Sequence, residues 1–122
     1  MDNKDIILKV YEEIFNGHNL AVCSKYIKED YIQHNPVVEN GITGFEKFFN
    51  KMFTRTPDFH FDIKHLIAEG DYVVVHGHAT TGKTGRGGAV VDIYRLENGK
   101  LAEHWDVLQQ VPETTANGNT MF

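Results

Sequence analysis

Asp92, His104 and Asp106 stand inside two stretches that otherwise read as β-strand core. Carboxylates and an imidazole gathered in one apolar pocket can take a proton from a carbon beside a carbonyl. They can then return it to the oxygen that becomes anionic. Tyr94, on the first stretch, and His34, on an irregular segment near Pro36, add donors suited to an oxyanion. The two stretches are Ala89 to Leu96 and Leu101 to Leu108, joined by Glu97-Asn98-Gly99-Lys100. Asn-Gly between β-branched and aromatic arms is a hairpin signal. Which side chains share a face depends on the turn. A two-residue Asn98-Gly99 loop pairs Leu96 with Leu101 and puts Asp92 opposite Trp105, away from Asp106. A three-residue loop with Gly99 left-handed pairs Asp92 with His104 and Val90 with Asp106. The second is expected here. It gathers Asp92, Tyr94, His104 and Asp106 on one face and leaves Val91, Ile93, Trp105 and Val107 on the other.

Other elements must hold this hairpin. Ile6, Ile7, Val10, Tyr11, Ile14 and Phe15 recur at helical spacing, with Asp2 or Asn3 as cap and Asn16-Gly17 as stop. Asn19 caps a short second helix that buries Leu20, Cys23 and Ile27. Pro36 pushes Asn35 to an extended conformation, so His34 falls between helices. Thr43-Gly44-Phe45-Glu46 reads as a capping box. Phe45, Phe48, Phe49, Met52 and Phe53 follow on one stripe that must cover a sheet. From Phe59 the period becomes two, and Glu69-Gly70-Asp71 turns the chain into a Val-rich strand from Tyr72 to Thr81. Three helices followed by four antiparallel strands make an α+β domain, with the sheet curled around the helices and a cone-shaped cavity between them.

The 122 residues suffice for one domain with a real core. A net charge of −5, with no cationic run, argues against a nucleic-acid partner. Cys23 is the single cysteine and has no partner in the chain, which fits a reducing compartment. Its place on a buried helix face makes it an inert core thiol. There is no apolar run of membrane-spanning length, and Met1 to Asp5 does not read as a signal peptide, so a cytoplasmic protein is expected. The glycine-rich loop Gly82 to Gly88 lacks the ending and the following helix of a phosphate loop. His76-Gly77-His78 invites a metal reading, since residues two apart on a strand point the same way. No glutamate follows at a suitable distance, and neither a metal nor an organic cofactor is expected. The tail, Pro112 to Phe122, is polar except for Met121 and Phe122, which have the character of a docking end.

Tyr31-Ile32-Gln33-His34-Asn35-Pro36, Ala68-Glu69-Gly70-Asp71-Tyr72-Val73, Asp92-Ile93-Tyr94-Arg95 and the run Asn98 to Val107 together resemble the SnoaL-like proteins of the nuclear transport factor 2-like superfamily. The similarity covers nearly the whole chain in order. It implies a cone of three helices on a curved antiparallel sheet, and a homodimer built through the outer sheet face. It also implies an acid/base aspartate on the last strand, where Asp106 stands. A histidine is expected on the preceding strand, where this chain has Asp92; His104 or His34 could fill that place.

The resulting expectation is a small-molecule pocket acting on a carbonyl-containing apolar metabolite by aldol cyclisation, isomerisation or dehydration. Asp106 is the acid/base, His104 or Asp92 tunes it, and His34 or Tyr94 donates to the oxyanion. Phe48, Phe49, Met52, Tyr94 and His78 are placed with the ligand, although the facing of His76 and His78 stays open. The alternatives are a binding module without catalysis and a dimeric interaction protein. The apolar patch of Val91, Ile93, Trp105 and Val107 points to a twofold interface.

Overall fold

The structure is a computed structural model that describes residues 1–82 and 85–122. Lys83 and Thr84, in the glycine-rich loop, lie outside the described residues. Helix α1 spans Asn3–Val10 and continues as a π-helical turn over Tyr11–Asn16. Asp2 caps it: its carboxylate accepts from the Asp5 amide, and the Asp5 carboxylate accepts from that of Asp2. A 3₁₀ turn, Leu20–Val22, leads into α2, Cys23–Tyr26. Strand β1, Ile27–Gln33, and helix α3, Gly41–Arg55, follow. Strands β2 (Phe59–Glu69), β3 (Tyr72–Thr81), β4 (Gly88–Glu97) and β5 (Lys100–Gln110) complete the chain.

The five strands form one sheet in the order β1-β5-β4-β3-β2. The helices cover one face. Ile7, Val10, Tyr11, Ile14 and Phe15 interlock there with Val73, Val75, Tyr94 and Leu101. Cys23 is buried in this core, and burial, with the charge of Glu46 second, pushes its thiol up to about 12, as an inert cysteine requires.

Three local expectations are corrected. Ile27 does not end a helix but begins a strand, and β1 runs parallel to β5, so the sheet is mixed. Ile27 and Tyr31 are its two buried residues, four apart, because the pairing with β5 is irregular between Ile27 and Ile32. That spacing imitates a helix. Helix α3 starts at Gly41, so Thr43 lies inside its first turn and no capping box forms. Asn40 holds the cap position, and its side-chain oxygen accepts from the Gln33 amide at 2.8 Å, tying the helix start to the end of β1.

The third correction concerns the hairpin. The turn is the two-residue one: Asn98 (φ 51°) and Gly99 (φ 79°) are both left-handed, and Leu96 pairs with Leu101. The extra residue sits beyond it. Arg95 pairs with Glu103, leaving Ala102 as a bulge in β5, and Leu101 and Ala102 are buried in succession. Downstream the register places Asp92 opposite Asp106 and Tyr94 opposite His104. The expected face is therefore assembled, but with different partners and by a different device.

β2 and β3 approach closely at Gly77, where an added Cβ would lie 2.2 Å from Phe61 Cε1 and 2.7 Å from the Asp62 carbonyl oxygen. Gly77→Ala should therefore cost about 1–3 kcal/mol, read as a lower melting temperature. An unshifted melt would mean that Phe61 swings aside freely.

Candidate functional site

The helix-facing side of the sheet carries a cavity of about 260 Å³, floored by Asp92, Tyr94, His104 and Asp106 and roofed by Phe48, Phe49 and Met52 of α3. Asp92 and His104 are its buried ionisable pair, each 7% exposed. His104 Nε2 lies 2.8 Å from Asp92 Oδ1, and Asp92 Oδ2 accepts from Tyr11 Oη at 2.6 Å. Tyr11 and Tyr94 share a hydrogen bond of 2.8 Å. Burial first, and the Asp92 charge second, raises both phenols well above the usual tyrosine range, so they remain protonated.

The hydrogen-bond pattern determines where one proton must be. Gln33 Oε1 accepts from the Asn35 backbone amide at 3.0 Å, which identifies that atom as an oxygen. The same atom lies 2.7 Å from His104 Nδ1, so Nδ1 is a donor. A neutral His104 then has a bare Nε2, facing a carboxylate oxygen at 2.8 Å. Two acceptors do not meet at that distance, so one proton occupies the link, on His104 or on Asp92. Nitrogen-15 spectra should show His104 Nδ1 protonated; a bare Nδ1 with a protonated Nε2 would contradict this assignment.

Asp106 is held differently. Asn35 Nδ2 donates to both of its oxygens at 3.0 Å, while Asn35 Oδ1 accepts from the Val37 amide at 3.0 Å, which fixes the amide's direction. Pro36 supports that posture inside a turn closed by Val38 N to Asn35 O at 3.1 Å. Asp106 Oδ2 stands 4.0 Å from His104 Nε2. Asp92, His104 and Asp106 could each offer one ligand atom to a cation, within 4.8 Å of one another. Each of these groups already has a protein hydrogen-bond partner, so hydrogen bonding alone accounts for their arrangement.

Two of the expected site residues belong elsewhere. His34 follows β1 and points to the opposite face, where its ring stacks on Trp105 at 4.8 Å and Nε2 meets Glu103 at 2.7 Å. His78 also lies on the outer face of β3. It bonds the Arg86 carbonyl at 2.7 Å and stacks on Phe122, so neither His34 nor His78 lines the cavity. The reason is strand alternation: Gly77, between His76 and His78, takes the inward position. The tail end docks on this outer face of its own chain.

The profile of the SnoaL-like polyketide cyclase family matches residues 5–116. The chain belongs to the SnoaL-like polyketide cyclase family. No curated protein matches this SnoaL-like chain in sequence. Among solved structures it resembles an uncharacterised cystatin-fold protein from Novosphingobium aromaticivorans (TM-score 0.79, 22% identity, covering 88% of this chain and 98% of that one). A loop-truncation variant of IdmH, a Streptomyces antibioticus protein, superposes with TM-score 0.77 at 20% identity, over 88% of this chain and 92% of that one. A SnoaL-like polyketide cyclase from Agrobacterium tumefaciens gives 0.74 at 17% identity, over 89% and 93%. At these identities the likeness concerns the fold.

Tyr11, Tyr31, Gln33 and Asn35 also line the cavity of this SnoaL-like chain, and sequence reasoning passed over them. For three of them a signal existed. Tyr31, Gln33 and Asn35 alternate with Ile32 and His34, as inward and outward residues of a strand do. Tyr11 offered none, since it reads as one more apolar position of α1.

Proposed function

We propose that the pocket transfers a proton at the carbon beside a carbonyl in a compact apolar molecule, with Asp106 as the acid/base. The observation that carries this reading is the placement of Asp106. Its side chain is 19% exposed, at the wall of an aromatic-lined cavity, and is oriented through both oxygens by Asn35. The Asp106 carboxylate removes the α-proton, and the electron pair moves to the carbonyl oxygen as an enolate. In an aldol cyclisation the enolate carbon attacks a second carbonyl, and protonated Asp106 returns its proton to the alkoxide formed. The proton held between Asp92 and His104 keeps that pair neutral as a unit, so of the two carboxylates Asp106 is the uncompensated one. The test is deuterium uptake at the α-carbon of small cyclic ketones in heavy water, followed by NMR. No uptake above the buffer rate, with ketone bound, would turn the reading into that of a binding module. No organic cofactor enters this scheme.

We also propose a twofold homodimer through the outer sheet face. Val107 (69% exposed), Ile67 (61%) and Tyr72 (45%) extend the patch of Val91, Ile93 and Trp105. Light scattering at micromolar concentration should give twice the chain mass; a monomer would remove the claim.

A further inference from the structure

Tyr31 is 1% exposed, yet its hydroxyl makes no hydrogen bond to any described residue. The contrast with its neighbours is sharp, for Tyr11 and Tyr94 spend their hydroxyls on each other and on Asp92. A buried hydroxyl without a partner is costly. Among the described residues, no side-chain nitrogen or oxygen sealed inside the protein lacks one. Tyr31 Oη therefore touches open space, and the space its side chain lines is the cavity. The ring is well held, edge-on to Phe45 at 6.1 Å and stacked over His104 at 6.4 Å. Burial, then the charges of Asp92 and Asp106, raises its pKa well above the ordinary tyrosine value, so the group remains a donor.

The rest of the polar wall has little left to give. Both ring nitrogens of His104 are occupied, by Gln33 and Asp92, and the Asn35 amide is spent on Asp106. Tyr31 is thus a free donor in a cavity that otherwise shows a ligand aromatic and aliphatic carbon, the Asp106 carboxylate and the amide nitrogen of Gln33, whose oxygen is already taken by His104 and Asn35. A cavity of about 260 Å³ lies under the roughly 300–1,000 Å³ that drug-sized ligands occupy, so it suits one or two rings.

We propose that the Tyr31 hydroxyl binds the oxygen of the ligand, donating to the carbonyl of a one- or two-ring ketone whose α-carbon lies toward Asp106. The proposal rests on the carbonyl-site reading above and adds to it the oxygen-binding group and the size class. As the α C–H bond breaks, its proton goes to Asp106 and its electron pair to the carbonyl oxygen. The hydrogen bond from Tyr31 strengthens as that charge grows.

The probes are 1-tetralone and tetralin, which share a shape and differ by the carbonyl. Wild-type protein should bind tetralone about tenfold tighter, the scale of one hydrogen bond inside a pocket. Tyr31→Phe should bind the two alike, with tetralin affinity unchanged. Its melting temperature should not fall, because the deleted hydroxyl bonds nothing in the protein. A tetralone preference that survives in Tyr31→Phe overturns the proposal. So does equal binding of both probes by wild type, or binding of neither. Deuterium uptake separates the two readings: preference without uptake leaves Tyr31 standing and sinks the acid/base role of Asp106. Uptake by wild type, with the preference intact in Tyr31→Phe, does the reverse.

Discussion

Asp106→Asn will stop deuterium uptake at the α-carbon of a bound ketone while the protein stays folded. An amide has the shape of the carboxylate but no basicity near neutral pH, so the proton has nowhere to go. A positioned general base accounts for about 10²–10⁴ in rate, and a loss of that size is expected. Folding is protected by the way Asp106 is held. Asn35 Nδ2 now donates to two oxygens; in the variant it keeps one and meets an NH2 group at the other. The loss is one hydrogen bond at a partly open site, about 1 kcal/mol, which urea unfolding will measure. An unchanged exchange rate in a folded variant takes Asp106 out of the chemistry.

Asp92 yields the second large effect, and it splits by substitution. Asp92→Leu should cost about 3–5 kcal/mol, because it strips a buried pair of one member. His104 Nε2 and Tyr11 Oη would both lose the oxygens they now bond at 2.8 Å and 2.6 Å. Asp92→Asn should cost little, within about 1 kcal/mol. The amide oxygen can accept from Tyr11, and the NH2 can donate to the bare Nε2 of a neutral His104 whose Nδ1–H still faces Gln33. The asparagine supplies by its own chemistry the proton that the wild-type link must hold. Urea unfolding of the two variants decides it. If Asn destabilises as much as Leu, the link does not carry the proton assigned to it.

These expectations hang on contacts between distant parts of the chain, and that is where legibility in the sequence stopped. The amphipathic α1, the aromatic stripe of α3 and the two hairpins were all readable, because each is encoded by a local period of apolar residues. The inward set of Asp92, Tyr94, His104 and Asp106 was also anticipated, although through a bulge at Gly99 rather than at Ala102. A slip of one residue exchanges the faces of a strand, so two bulge positions at one end of a hairpin select the same inward set with different cross-strand partners. The sequence weakly separates them, since Leu101-Ala102 is an ordinary apolar pair until both residues are seen buried.

By itself the sequence determined the helices α1 and α3, the four C-terminal strands, the α+β class and the family, because patterning and turn chemistry act over a few residues at a time; it did not show β1, whose buried residues fall four apart. It also placed the acid/base candidates on one hairpin. Only tertiary structure decided who surrounds them. Tyr11 meets Asp92 from 81 positions away, and Asn35 meets Asp106 from 71. Both contacts exist because β1 adds in parallel to β5 and α1 crosses the sheet. The same parallel pairing sends His34 outward and Asn35 inward. Side-chain direction at an edge strand is set by the neighbour it pairs with, and that neighbour is invisible to any local reading of the chain.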